Sequence, residues 1–521
     1  MGDTMKEQST AAQIYQMGKN YFQIRNYDKA KEYLIQAVMK GSSGAASLLY
    51  RLGREYMARK TEKDYRKSEE CFQVLADRGD SRACLALGEL CEEGLGREVD
   101  IESAFSYYAE AYRMGEAMGA YRAGTLLLPG GAHSEDIRKT AEEWLLEAAD
   151  AGIGKAYTKL GWLYREDKPV NSDDNRRALS WFLKGVDAGD PEAMRAAGDF
   201  FFDGVAVGRD RKMGLYLFEK AASLGDARAE LRLGDLYSDG NGVKRNVDKA
   251  LDYYAKASEK GDEDARYCGG MLAYQEGRAV MDPKNGRISR KKGERYLKLA
   301  IEMGCSPAYN ELGLLYCTAP SGSSYRKIDE ALACFQKGKK AGDQEYAGAN
   351  YIQLCMNEGR KYFEKALRIN QQFGRTFSEN PKKRDEYCKL LEETLAFWKK
   401  AAAAGSAEGW SSVAHMYFYR GEFLDPVPTE KDFLAAARKG IHDEDGKALE
   451  LLYYYYSEPD LWNKEKFHRE DPEKAFQMAM KLAKLGYPYY MEILSRYYKK
   501  GYGTTKDEGR SRMWAVRARD R

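Results

Sequence analysis

One glycine recurs down this 521-residue chain at near-constant intervals, and that interval restricts the fold more than any other feature. The series runs Gly41, Gly79, Gly115, Gly152, Gly189, Gly225, Gly261, Gly304, Gly342, Gly405, Gly440 and Gly486. From Gly41 to Gly261 successive members stand 36 to 38 residues apart, although the intervening loop sequences differ. A fixed period of this size marks tandem units that stack on their neighbours rather than around one central core. That is how a chain longer than an ordinary single domain can fold as one array.

Each unit reads as two helices. In the cleanest copy, Ala229, Leu233, Gly234 and Tyr237 recur every three to four residues and mark one face of a first helix. Gly240 and Gly242 end it, because glycine accepts the left-handed conformation that closes a helix. Ala250, Tyr253, Tyr254 and Ala257 form the stripe of a second helix, and Gly261-Asp262 turns the chain into the next unit. The small residues Gly234, Ala250 and Ala257 predict close helix crossings, with tyrosines filling the gaps between them.

This pattern resembles the Sel1-like repeat, a relative of the tetratricopeptide repeat. Strong first-helix copies are Leu87-Gly88, Leu160-Gly161-Trp162-Leu163-Tyr164, Leu233-Gly234 and Leu312-Gly313-Leu314-Leu315-Tyr316. Second-helix copies include Ala104 to Ala111, Ala178 with Trp181-Phe182, and Ala331 with Phe335. The first unit, with Met17-Gly18, Tyr21-Phe22 and Tyr27-Asp28-Lys29-Ala30, is closer to a plain tetratricopeptide repeat. The resemblance implies an all-α fold, a right-handed α/α superhelical solenoid of about twelve helix pairs. It also implies a protein-interaction role and supplies no catalytic residue.

The intervals predict four regions: a first unit at 1–41, a regular array at 42–342, a unit with extended helices at 343–405, and further repeats with a capping helix at 406–521. The 63-residue interval from Gly342 to Gly405 holds a helical stretch at Glu358–Gln372, a loop at Phe373–Pro381 and a second stretch at Asp385–Ala404. Shorter insertions lie around Met281–Gly286, Glu458–Asp460 and Glu470–Pro472. At the end, Arg510 to Arg519 forms one more helix, with Trp514 inward and arginines outward, as a terminal repeat requires.

Composition narrows the setting. A net charge of +3 argues against a generic nucleic-acid binder. Met1–Thr10 is polar and lacks the apolar core of a signal peptide, and no stretch approaches 18 apolar residues, so no membrane insertion is expected. The nine cysteines are odd in number and irregular in spacing. Reduced, mostly buried thiols in a cytoplasmic protein are the simplest reading.

Nothing in the sequence composes a catalytic, cofactor or metal site. His133, His415, His442 and His468 lack ligand partners at metal-binding spacing. Gly94-Leu95-Gly96 and Gly501-Tyr502-Gly503 resemble nucleotide loops but recur where first helices end. No catalytic residue, cofactor or metal is therefore assigned.

Two surfaces are candidates for a partner. In the related tetratricopeptide superhelix the first helices line the concave face. On that geometry, the places one, four and five after the repeat glycine give Glu89, Glu92, Glu93, Arg165, Glu166, Asp199, Asp203, Asp235 and Asp239. This is a mainly acidic stripe suited to a basic peptide. Residues 282–298 carry seven Lys/Arg against two Asp/Glu, and residues 496–521 carry nine against three. Arg290, Lys291, Lys292, Lys499, Lys500, Arg510 and Arg512 form this candidate basic patch, for an acidic partner or a phosphate backbone. Tyr453-Tyr454-Tyr455-Tyr456 must cover all sides of a helix, which predicts that some of these rings are exposed as candidate anchors, although packing against neighbouring helices is the favoured role of the run.

The leading expectation is a non-enzymatic scaffold or adaptor that binds another protein or peptide. The alternative is a regulatory or sensor subunit of a bacterial signalling or defence enzyme complex, touching nucleic acid or a nucleotide through the basic patches. A cell-envelope assembly scaffold is a third reading. Nucleic acid is the less favoured partner, because the acidic patches repel it and no base-reading motif is present.

Overall fold

The computed structural model describes residues 2–128, 135–165, 172–285, 288–441, 446–457 and 468–520. Among these residues lie twenty-six α-helices, three short 3-10 turns and no strand. The helices follow one another as thirteen pairs: the twelve glycines close twelve, and Pro488–Lys500 with Glu508–Arg519 adds one more. The chain divides into two compact units, Met1–Arg266 and Tyr267–Arg521, with the boundary inside the helix Glu263–Ala279.

In the first unit seven of the fourteen complete helices have 13 residues, and one sequence logic recurs among the pairs. The helix Val247–Glu259 ends at Gly261, whose φ of +90° favours glycine. Gly261 N donates to Ser258 O at 2.9 Å, and Asp262 N donates to Ala257 O at 3.1 Å. These two bonds satisfy carbonyls that the helix end would leave unpaired. Asp262 then accepts from Ala265 N at 2.9 Å and so caps the next helix. A Gly-Asp step thus ends one unit and starts another. Gly79-Asp80 and Gly225-Asp226 repeat it.

The repeat glycine of the first helix has a different reason. A Cβ on Gly234 would stand 2.6 Å from Tyr254 Cε1 on the second helix. The same holds for Gly53 against Phe72 at 2.6 Å and Gly198 against Phe218 at 2.7 Å. The glycine is the slot into which the ring of the partner helix fits. Leu233, Tyr254, Ala250 and Ala257 are buried accordingly. Tyr253 departs from the expected stripe: it is only half-buried and stacks on Tyr237 at 5.9 Å, with Lys249 Nζ over both rings.

The second unit varies the plan. One pair is built from Tyr346–Phe373, 28 residues, and Pro381–Ala403, 23 residues. The first of these helices begins twelve residues before the expected Glu358, and Gly374–Thr376 forms a 3-10 turn within the expected loop. Phe377 beyond that turn packs on Tyr387 at 5.3 Å, and Tyr387 on Phe423 of the following pair at 5.2 Å. The tip of the long pair is therefore anchored by rings.

Three further expectations change. Eleven of the twelve closing glycines have positive φ, but Gly440 has φ −80°. Gly440 is glycine because of close approach instead. Its Cβ would meet Ser411 N at 2.7 Å, and Ser411 Oγ donates to Gly440 O at 3.1 Å. The four consecutive tyrosines show no exposed ring: Tyr453, Tyr455 and Tyr456 are buried and Tyr454 is half-buried. Their helix has neighbours on several sides. Tyr453 packs on Tyr490 at 5.1 Å, Tyr455 on Phe433 at 5.6 Å, and Tyr455 OH donates to Glu430. All nine cysteines are free thiols, four buried and five half-buried. Burial pushes the Cys71 thiol up to about 12. As the sequence predicted, Trp514 is buried while Arg510, Arg512, Arg517 and Arg519 are exposed.

Candidate partner-binding surface

In Met1–Arg266 the first helices carry the acidic candidates, and successive first helices are linked by ion pairs. Glu89 lies within 2.7 Å of Arg54 Nη1 on the preceding first helix and 3.5 Å of Arg122 Nη2 on the following one. Arg122 also reaches Glu92 at 4.0 Å, and Glu92 accepts from Tyr108 OH at 2.5 Å. Further along, Arg232 bridges Asp199 at 3.3 Å and Asp203 at 3.7 Å. Asp235 accepts from Tyr254 OH at 2.7 Å, and Asp239 accepts from Ser238 Oγ at 3.0 Å. The stripe is thus a ladder of alternating sign. The offsetting cations stand two places before the repeat glycine (Arg122, Lys159, Arg232) or one after it (Arg54).

Depth separates the candidates. Glu89, Asp199 and Asp235, one place after the glycine, are half-buried, whereas Glu93, Asp203 and Asp239, five places after, are exposed. Burial holds Asp199 above the ordinary carboxylate range, with Arg232 opposing it. Burial raises Asp235 as well, against the hydrogen bond from Tyr254. Arg165 lies over the Trp162 ring at 4.9 Å. Glu166 lies outside the described residues.

Nine segments of the chain match the model of the Sel1 repeat: 11–42, 46–80, 81–116, 117–153, 154–190, 191–226, 227–262, 306–343 and 488–521. Together they cover more than half of its length. The chain belongs to the Sel1 repeat family. Several solved structures are similar to the chain. The protective antigen c5321 of uropathogenic Escherichia coli, which displays an SLR fold, is 21% identical, with 86% of each chain covered and a TM-score of 0.36. A Sel1 repeat protein from Oxalobacter formigenes is 22% identical over 49% of this chain and 99% of its own, with a TM-score of 0.37. The immunity protein PA5088 of Pseudomonas aeruginosa is 18% identical over 44% of this chain and 82% of its own, with a TM-score of 0.29. No curated protein matches the chain.

Between Sel1 repeats the first-helix ladder also holds groups that the spacing argument passed over. Trp162 Nε1 donates to Glu192 at 2.9 Å, and Lys159 reaches the same carboxylate at 3.1 Å. These partners stand on successive repeats about thirty residues apart in sequence. Glu192 stands six places before its repeat glycine, so only a reading of the −2 and +1 places of one repeat together with the −6 place of the next could have found them. In Tyr267–Arg521 a groove of about 810 Å³ is lined by Tyr274, Arg278, Asn310, Glu311 and Tyr346 among others. Arg278 lies 3.6 Å from Glu311 there, and burial raises the Glu311 carboxyl.

The basic candidates do not form one patch. Arg290, Lys291 and Lys292 make the first turn of the helix Arg290–Glu302. Lys499 and Lys500 end the helix Pro488–Lys500, where the helix dipole favours cations. Arg510 pairs with Asp507 at 3.4 Å and Arg512 with Glu508 at 3.6 Å. The glycine pairs end helices as expected: Gly94, Gly96, Gly501 and Gly503 all have positive φ. His415 keeps an exposed edge, yet crowding against Phe363 and Tyr419, with Arg420 and Lys447 nearby, holds it well below the usual imidazole range. His468 Nε2 contacts Ser457 O at 2.5 Å, while His133 and His442 lie outside the described residues. Among the described residues no His/Cys/Asp/Glu cluster is placed to hold a metal ion, and no helix is long and apolar enough to cross a membrane.

Proposed function

We propose that this Sel1 repeat protein is a non-enzymatic cytoplasmic scaffold that receives a partner protein on the first helices of Met1–Arg266. One observation carries the reading: exposed carboxylates recur at the same repeat place, Glu93, Asp203 and Asp239, above a ladder whose deeper charges are already paired. The deeper pairs fix the surface, and the outer carboxylates, of which Asp203 also reaches Arg232, face a basic segment of the partner. Arg510 and Arg512 are paired locally, which disfavours the alternative of a phosphate-binding subunit.

The test is affinity capture with the full chain carrying Glu93→Lys, Asp203→Lys and Asp239→Lys. Exposed substitutions rarely alter stability by more than about 0.5 kcal/mol, so helicity should persist while partner capture is lost. Capture that survives all three reversals removes this face from consideration. Glu92 and Asp199 are unsuitable for the test, because reversing them would strip Tyr108 of its partner and Arg232 of its nearer one, whereas reversing Asp203 leaves Arg232 paired with Asp199.

A further inference from the structure

A groove of about 630 Å³ opens in Tyr267–Arg521 between the ends of two second helices, Ile328–Lys340 and Pro381–Ala403, and the start of the long helix Tyr346–Phe373. Phe335, Tyr351, Gly348, Ala403 and Ala404 contribute to its walls, and Gln336 Nε2 donates to Tyr351 OH at 2.9 Å. Lys339, Lys340 and Lys400 stand at its rim, all exposed, and no carboxylate lines it. The last turns of two helices meet here, each presenting about half a negative charge. Three lysines exceed that, so the groove stays positive.

A second observation is independent of charge. Helical glycines in this chain are crowded: a Cβ would meet a neighbour at 2.6 Å on Gly313, 3.1 Å on Gly338 and 2.7 Å on Gly409. Gly348 is different. It sits in the first turn of its helix without positive φ, and the nearest atom to an added Cβ is Lys339 Cδ at 3.9 Å. Neither packing nor backbone demands glycine there, and glycine costs a helix about 1 kcal/mol relative to alanine. What its missing side chain does is leave the groove open beneath the Lys339 stem.

We propose that this groove is a docking site for an acidic amphipathic peptide segment, with its apolar side chain against Ala403, Ala404 and the lysine stems, above the buried Phe335 and Tyr351, and its carboxylates on Lys339, Lys340 and Lys400. The proposal rests on the scaffold reading and adds a second site of opposite charge preference to it. The chemistry is that of a complementary interface, in which rim charge sets orientation and encounter rate and the apolar floor retains the ligand.

The probe is a labelled synthetic peptide in which leucines one helical turn apart are flanked by glutamates, titrated by fluorescence anisotropy against the full-length protein. The expected result is binding that weakens at least about tenfold with added salt, with glutamine in place of glutamate, and with the Lys339→Glu/Lys340→Glu/Lys400→Glu protein. Gly348→Leu fills the groove and should abolish binding while leaving the rim charges intact. Lys291→Glu/Lys292→Glu should bind as wild type does. No binding to wild type, or loss with charge reversal but not with Gly348→Leu, overturns the groove. Binding of ATP at this site in preference to the peptide overturns it also. Partner capture through Glu93, Asp203 and Asp239 is measured on the same proteins. If capture persists when the peptide fails, only the groove is wrong; if capture is also absent in wild type, the scaffold reading falls.

Discussion

Met1–Arg266 and the last three helix pairs of Tyr267–Arg521 solve one packing problem with the volumes exchanged. In three pairs of the first unit, the eighth residue of the first helix is glycine and the eighth of its partner is a ring: Gly88 with Tyr108, Gly198 with Phe218, Gly234 with Tyr254. In the last three pairs of the second unit, those places hold Ala414 with Ala437, Tyr453 with Ala479, and Ser495 with Ala515. The ring has left the eighth place of the second helix, and that place on the first helix has gained bulk. The surrounding frame is conserved in geometry: Ser511 Oγ donates to Ser495 O at 2.8 Å, as Ser68 Oγ donates to Gly53 O at 2.8 Å. What a helix crossing requires is a filled gap of fixed size, and either helix can fill it. The family pattern matches seven segments up to residue 262 and two beyond it: 306–343, which keeps the glycine slot at Gly313 for Phe335, and 488–521, which places Ser495 and Ala515 there.

The largest effect should come from removing the ring, whichever helix carries it. Phe182 fills the slot at Gly161 and packs edge-on against Trp162 at 5.1 Å and Phe200 at 5.5 Å. Phe182→Ala should cost its unit about 3–5 kcal/mol, the usual range for a buried aromatic. Tyr453→Ala should cost the second unit a comparable amount. Native-state hydrogen exchange reads each unit separately. A cost below about 1 kcal/mol at Tyr453 would mean that its ring does not fill the gap left by Ala479, and the exchange of volumes would fail as an explanation.

A smaller effect tests the exchange directly. Ala515→Phe should overpack against Ser495 and cost about 1–3 kcal/mol. Ser495→Gly alone removes helix propensity and should cost about 1 kcal/mol. Combined, the two restore the arrangement of Gly234 with Tyr254, so the double variant should be more stable than the sum of the singles by about 0.5–3 kcal/mol. Additive costs would show that the terminal pair packs on another principle.

How much of this was legible follows from the range of each interaction. The Gly-Asp step joins a turn to a cap within a few residues, so spacing alone located twelve closing glycines, eleven of which are left-handed. The ladder was not legible from one repeat. Glu89 and Asp199 look like free acids until Arg54, Arg122 and Arg232 arrive from neighbouring repeats more than thirty residues away. The four-tyrosine run failed for a related reason. A helical wheel predicts exposure only when one side of the helix faces solvent, and Tyr490, Phe433 and Lys474 approach this one from different elements.

The smallest effect separates two glycines that the sequence made equivalent. Gly405 has φ +108° with nothing within 4 Å of an added Cβ, so its constraint is purely conformational. Gly440 has an ordinary helical φ, and its constraint is Ser411 N at 2.7 Å. Asparagine tolerates left-handed backbone better than alanine does but needs more room. At Gly405, asparagine should therefore be the milder replacement, with alanine costing about 1–2 kcal/mol. At Gly440 the order should reverse: alanine forces Ser411 aside, and asparagine, being larger, forces it further. Thermal or denaturant midpoints of the four single variants give the two rankings. Identical rankings at both sites would show that Gly440 is a left-handed turn in solution like the other eleven, and that the close approach of Ser411 is not what selects glycine there.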